Sequence, residues 1–317
     1  MNNVQKTILM TGATGLVGKA ISRELIKAGM EVYAILRPSS KAHRLEAGVK
    51  PLYMEVLHYK ETDVARLEAL GRIDAVLHLA GESIMGVWTS AKRERLYNSR
   101  VLLTRQLGEL LCALESPPKT FISASAIGIY GVHQGEALLD EDAFQGDDFL
   151  AELCKGWEEA THIVGHAGIR CVQFRLGVVL SKEGGALAAM LPPFQWGLGG
   201  PLGNGTQWMS WIHIKDVVRA FIYAVEQSAL EGAYNLTAPS PVRNKEFTTL
   251  LGKTLERPTP FPVPEILLKW ALRDLADSLL LASQRVSSEA LERQGFVFQY
   301  PELPLALEDL IHKQEAK

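Results

Sequence analysis

Between Lys6 and Gly18 an apolar run, Ile8–Met10, stops at Thr11 and gives way to glycines spaced GxxGxxG at Gly12, Gly15 and Gly18, after which a helical pattern begins. A strand that leaves its sheet in a tight turn needs a residue free to take positive φ, the role expected of Gly12. Gly15 carries no side chain to keep a pyrophosphate from the backbone N–H groups, and Gly18 lets the helix pack close to the strand. The amides of the helix's first turn supply the positive end for phosphates. Ala20, Ile21, Leu25 and Ile26, closed by Gly29, keep helical spacing, so the strand–turn–helix context that such a glycine motif requires is present. The stretch reads as a dinucleotide-binding loop rather than a plain turn, with Gly12, Thr14, Gly15, Leu16, Val17 and Gly18 against the nucleotide.

Over the next 160 or so residues β-type runs alternate with helical patterns. The strand candidates are Ile8–Met10, Glu31–Leu36, Leu52–Val56, Ala75–Leu79, Thr120–Ser123 and Arg170–Phe174. Helices are expected over Leu16–Ala28, Thr62–Leu70, within Ser90–Leu114 as one long helix, and from about Asp148 to His166. Alternation of this kind predicts an α/β fold: a Rossmann-type, doubly wound parallel sheet. Beyond Arg175 the pattern changes to a tract dense in Gly, Pro and Trp, Gly184–Trp211, expected to be loop-rich. A helix, Lys215–Gln227, and a strand, Ala233–Leu236, then rejoin the core, and from Pro258 a proline-marked linker leads into a mostly helical tail. The expected division is a nucleotide-binding unit over residues 1–240, with a substrate-side insertion at about 184–211, and a smaller, mostly helical region over 241–317.

Charge and composition narrow the function classes. Lys and Arg number 33 against 36 Asp and Glu, a dispersed net charge of −3, which predicts neither a nucleic-acid surface nor a polybasic membrane tail. No apolar run approaches the ~18 residues that span a bilayer. Cys112, Cys154 and Cys171 lack metal-ligand spacing, and no signal-peptide apolar core opens the chain, so a reducing cytoplasm is the expected setting and no metal is expected.

An acidic residue near the end of the second strand, about 20 residues past the glycines, marks the NAD-binding version of this loop by taking the ribose 2′-hydroxyl. Here the place reads Leu36-Arg37-Pro38-Ser39-Ser40-Lys41, without a carboxylate. The Arg37 guanidinium suits a 2′-phosphate, with Ser39 and Ser40 as further donors. NADP is the cofactor expected, the alternative being that Arg37 is a solvated loop charge.

Several segments together resemble the extended short-chain dehydrogenase/reductases, the superfamily of nucleotide-sugar epimerases and dehydratases. They are TGATGLVG (Thr11–Gly18), HLAGE (His78–Glu82), SASAIGIYG (Ser123–Gly131) and WIHIKDVVRA (Trp211–Ala220). LAGE, Asn98-Ser99-Arg100, GGPLGNGTQWMSWIH, YNLTAPSPV and the tail QRV…ALERQGFVFQYP are similar to one branch, the YfcH-like epimerase-family proteins. The resemblance implies an NADP(H)-binding, epimerase-like oxidoreductase for a small-molecule substrate, monomeric or paired as a homodimer through helices around Ser90–Leu114 and Asp148–His166. It adds Leu79, Ala80, Gly81, Arg100, Ser123 and Arg175 to the expected cofactor-binding residues. Some relatives are labelled as cell-division factors, which keeps open a non-catalytic NADP(H)-binding sensor or scaffold.

The chemistry departs from the superfamily pattern. A tyrosine and a lysine four residues later ordinarily exchange the substrate proton and hold the nicotinamide ribose. Placing Glu158 where extended members carry a Glu puts Leu150 and Cys154 at those positions. Lys155 is rotated ~100° away around the helix, and Phe149 has no hydroxyl. Arg100 stands where an asparagine is usual, suited to an anion but equally to a salt bridge with Glu94. The candidate catalytic residues are therefore Glu82, Ser125 and Tyr130. Glu82 is expected at the carboxyl end of the fourth strand with a pKa raised by partial burial, or else as a cap. Ser125 is a substrate-orienting serine or an ordinary strand-end hydroxyl, and Tyr130 a proton donor or, preferred, a packing residue. Cys154 reads as packing and His213 as a hydrogen-bonded structural histidine.

Overall fold

The computed structural model describes residues 5–312. From the amino end the elements are β1 (Thr7–Thr11), α1 (Leu16–Lys27), β2 (Glu31–Leu36), β3 (Lys50–Tyr53), α2 (Glu61–Glu68), β4 (Ala75–His78), α3 (Ser90–Tyr97), α4 (Leu103–Cys112) and β5 (Thr120–Ala126). Then follow β6 (His133–Leu139), α5 (Phe149–Ala160), α6 (His162–His166), β7 (Arg170–Leu176), β8 (Val178–Leu180), α7 (Gly185–Gln195), β9 (Trp208–Met209) and β10 (Trp211–His213). The rest is α8 (Ile214–Glu226), β11 (Gly232–Leu236), β12 (Val242–Arg243), α9 (Asn244–Thr254), α10 (Glu265–Leu272), β13 (Ser283–Val286), α11 (Glu289–Arg293) and α12 (Leu303–His312).

Seven strands make one parallel sheet in the order β11-β7-β5-β4-β1-β2-β3. Both faces are covered, and the period of two along β1 shows how. Ile8 and Met10 face the core that holds Ile21 and Leu25 of α1 and Val217 and Phe221 of α8. Leu9 faces the opposite core, with Leu67 of α2 and Leu107, Leu110 and Leu111 of α4. Fully apolar strands of this kind are what a sheet buried on both sides requires.

Three expectations need correction, and a fourth gains a detail. The third strand begins at Lys50 rather than Leu52, as an edge strand where Pro51 lacks the donor an inner strand would need. The long helix expected within Ser90–Leu114 is continuous over Ser90–Cys112 but carries a π turn, Asn98–Leu102, between α3 and α4. Inside the tract expected to be loop, the good helix formers Ala186–Leu191 build α7, which carries Pro192 and Pro193 near its end and buries Leu187 and Phe194. The tail contains β13, which pairs parallel with β6.

The carboxyl-terminal segments are held to the start of α8. His213 caps that helix by accepting Lys215 N–H at Nδ1, 3.0 Å, in line with its structural reading. Lys215 Nζ reaches Asp309 of α12 at 2.7 Å, and the fully buried Asp216 carboxylate accepts the N–H groups of Gln299 and Tyr300, each at 2.8 Å. A third core joins Leu180, Trp211, Phe247, Leu251, Leu303 and Leu307.

Candidate functional site

β1 lies between β2 and β4, and the chain turns to opposite sides of the sheet there. Strand order reverses at this point, so a crevice opens at the carboxyl ends of β1 and β4, the position where open α/β sheets take ligands. A buried hydrogen-bond chain ties its parts together. Thr11 Oγ1 accepts the N–H groups of Leu79 and Ala80, so it donates to His78 Nδ1 at 2.7 Å. His78 is thereby the Nε2–H tautomer, bonded to Thr104 Oγ1 at 2.8 Å, and Thr104 in turn donates to the Arg100 carbonyl in the π turn. Burial alone holds His78 down at about 3, so it stays neutral.

The glycine loop has the conformation its residues demand. Gly12 has φ +73°, and a methyl there would lie 2.5 Å from the Leu79 carbonyl carbon. A methyl on Gly18 would lie 2.2 Å from the Gly12 oxygen, so the close approach that Gly18 permits is helix against loop. Gly15, exposed, begins α1 with no side-chain cap. The first-turn amides are therefore left for an anion, and the residues present fit a dinucleotide. Arg37 and Ser39 stand exposed just beyond β2, and among the described residues the Arg37 side chain has no ion-pair or hydrogen-bond partner.

Glu82 is where the sequence places it, past the end of β4, but its expected electrostatics are reversed. Lys92 Nζ lies 2.9 Å from its Oε1 and Arg95 Nε 3.6 Å away, and the Lys92 bond foremost holds the carboxyl below the ordinary range. Burial works the other way and is outweighed. The Glu82 N–H is bonded to Ser99 Oγ at 2.9 Å.

Ser125, Tyr130 and Arg175 come together, but away from open crevice. Ser125, 2% exposed, donates to Glu158 Oε1 at 2.6 Å. Arg175 grips the same carboxylate with Nε and Nη2, both at 2.9 Å, and spends Nη1 on the Tyr130 hydroxyl and the Glu141 carbonyl. Tyr130 donates to Asn235 Oδ1 at 2.6 Å, and burial pushes its phenol up to about 12. The network corrects one expectation, since Arg175 is a core ion-pair partner rather than a cofactor ligand; the Tyr130 hydroxyl is committed inward, which agrees with its preferred reading as a packing residue. Ser123, 1% exposed, turns its hydroxyl to the Ala124 carbonyl.

On α5, Leu150 and Cys154 are both buried, and burial pushes the thiol up to about 12. Opposite them the Arg100 guanidinium stacks 5.2 Å from the Trp157 ring centroid and lies against Gly81. The alternative partner, Glu94, is not paired with it. Sequence reasoning missed Lys92 and Trp157 altogether and treated Glu158 only as a register mark. Lys92 lies ten residues from Glu82, and no local spacing announces a partner at that distance. Of the tryptophans in and near the glycine-rich tract, Trp211 is core whereas Trp196 is exposed. Among the described residues no cluster of metal-ligating side chains occurs, and no helix is long and apolar enough to cross a membrane.

Comparison with known proteins accounts for nearly the whole chain. Residues 8–237 match the NAD dependent epimerase/dehydratase family, and residues 263–310 match a domain of unknown function, DUF1731. The chain is 39% identical to an epimerase family protein of Mycobacterium tuberculosis, MT2273, over 95% of its own length and 96% of the relative's. It is 35% identical to the epimerase family protein YfhF of Bacillus subtilis, over 96% and 97%. The crystal structure of human epimerase family protein SDR39U1 with NADPH superposes with a TM-score of 0.84 at 31% identity, covering 96% of this chain and 98% of that one. With the glycine loop, the seven-stranded sheet and the crevice at its switch point, these matches make the chain a member of the NAD dependent epimerase/dehydratase family, on the extended short-chain dehydrogenase/reductase fold.

Proposed function

We propose that the protein is an NADP(H)-dependent, epimerase-like oxidoreductase for a small-molecule substrate, working without the tyrosine–lysine pair usual in its superfamily. The observation that carries this is the pairing of an uncapped α1 amino end at Gly15 with an unpartnered Arg37 beyond β2. The first suits a pyrophosphate and the second a ribose 2′-phosphate. The NADPH in the human relative's structure supports the same cofactor. When bound, the nucleotide supplies hydride exchange at its nicotinamide.

The chain's residues would do the rest. Gly12, Thr14, Gly15, Leu16, Val17 and Gly18 hold the phosphates, Arg37 and Ser39 the adenosine side, and Leu79, Ala80 and Gly81 border the nucleotide beyond β4. With Leu150 and Cys154 unable to move a proton at neutral pH, proton exchange with the substrate falls to Glu82 and the Lys92 ammonium bonded to it. Ser125 has its hydrogen directed at Glu158 and is almost wholly buried, so it takes no part in the proton exchange.

Two measurements test the proposal. Calorimetric titration with NADPH and NADH should show NADPH bound more tightly, and equal affinities would remove the cofactor assignment. Single-turnover oxidation of bound NADPH across a panel of carbonyl compounds and nucleotide sugars should reveal a substrate class. Failure of the entire panel would favour a nucleotide-binding role without turnover.

A further inference from the structure

Three cations gather beyond β4, and only two of them are matched. Lys92 and Arg95 both engage Glu82. Glu158, the other nearby carboxylate, is saturated by Arg175 and Ser125. Arg100 is left: among the described residues no carboxylate lies within ion-pair distance of it. Its one hydrogen bond, to Ser99 Oγ at 3.5 Å, is at the limit for such a contact.

The placement of this guanidinium is specific. It projects from the π turn Asn98–Leu102, and π turns inside helices recur at functional sites. Its plane packs against Gly81, where a methyl would fall 3.1 Å from Cζ and 3.2 Å from Nη2, so glycine is what leaves room for it. Its other neighbour is Trp157, whose Nε1 is buried with no hydrogen-bond partner. A partly buried positive fork and the orphaned N–H of the ring it faces both call for acceptor oxygens that the described residues do not provide.

We infer that Arg100 is the anion-binding group of the substrate cleft and takes a carboxylate carried by the substrate. A guanidinium stacked on an aromatic face is already oriented, and its two parallel N–H groups match the planar, two-oxygen carboxylate. The phosphates of a nucleotide have their own place at Gly12–Gly18, beyond β1 rather than beyond β4. The inference rests on the proposed function for its cleft, but its test separates the two.

The experiment is calorimetry on the NADPH-loaded protein with oxamate, its neutral analogue oxamide, and orthophosphate as probes. Oxamate should bind and oxamide should not. Arg100→Gln should weaken oxamate about tenfold or more, and Arg100→Lys, which keeps the charge but loses the fork, should fall between. NADPH affinity should change less than about twofold in both variants. The inference is overturned if oxamate fails to bind, if oxamide binds equally, if only phosphate binds, or if Arg100→Gln leaves oxamate unaffected. A loss of NADPH affinity in Arg100→Gln would assign the guanidinium to the nucleotide instead, which also overturns it. If the wild type does not bind NADPH, the cofactor reading fails, and the same titrations on the bare protein still decide the carboxylate site.

Discussion

Ser125 directs its hydroxyl hydrogen at Glu158, 2.6 Å away, and Arg175 holds the same carboxylate through two nitrogens. The three side chains are almost wholly buried. Breaking a buried pair by removing one charge leaves the other uncompensated, so Glu158→Gln should cost about 3–5 kcal/mol in urea unfolding. Replacing Glu158 and Arg175 together by methionine should cost less than Glu158→Gln alone. A loss of under about 1 kcal/mol for Glu158→Gln would show that the pair is not a stabilising unit.

The three loop glycines should fail in different ways. Gly18→Ala drives a methyl onto the Gly12 carbonyl and should lower the melting temperature markedly. At Gly15, with φ −80°, the nearest atom to an added methyl is the Gly12 oxygen at 3.3 Å, so Gly15→Val should fold and yet lose nucleotide. Circular dichroism and titration on one sample separate the outcomes. Normal nucleotide binding by Gly15→Val would put the phosphates elsewhere.

For Arg37→Ala the expected cost is about 1–3 kcal/mol of NADPH binding, the worth of a charge-assisted contact at an exposed site, with NADH affinity unchanged. An equal loss for both nucleotides would mean that Arg37 does not read the 2′-phosphate.

Glu82→Gln removes the charge that Lys92 and Arg95 share. Once a substrate is found, single turnover should slow by roughly 10²-fold, the usual worth of a positioned proton-transfer group. Undiminished turnover would reject Glu82.

Acid should destabilise the fold through two histidines. Burial holds His78 down at about 3 and His213 at about 4, against 6.5 unperturbed; for His213 the Asp309 charge opposes burial and Lys215 adds to it. Above pH 6.5 both are neutral whether folded or unfolded, and the stabilisation is complete. As pH falls, the unfolded chain takes up protons that the folded chain refuses, so stability is lost until the folded pKa is reached. From pH 6.5 to about pH 5 each costs up to about 2 kcal/mol. Urea unfolding at both pH values measures the drop, and His78→Gln should make it shallower. A drop unchanged in that variant would contradict a buried neutral His78.

Much of the sheet could be read from local pattern, because strands buried on both faces are apolar runs and their helices keep a 3.6-residue stripe. β1, β2, β4, β5 and β7 all lie within a few residues of their expected spans. The glycine loop was legible because each glycine answers a backbone requirement. What stayed hidden depends on distance in the chain. Glu82 looked like a carboxylate free to hold a proton until α3 brought Lys92 to it. Arg175 looked available until Glu158 and Tyr130 surrounded it. β13 is four residues, Ser-Gln-Arg-Val, with one apolar side chain, so it carries no apolar period, and its partner β6 lies far upstream.

That last pairing sets an order of assembly. Val286 of β13 completes the small core of Ile129, Tyr130, Leu139 and Cys154, and Gln284 bonds the Gly131 carbonyl from 153 residues later in the chain. During translation the glycine loop, β1 and α1 emerge long before β13 is made. The buried core around Tyr130 must wait for another stretch of messenger to be read. The nucleotide loop and the core packed around Tyr130 are thus supplied by segments made at widely separated moments of the protein's synthesis.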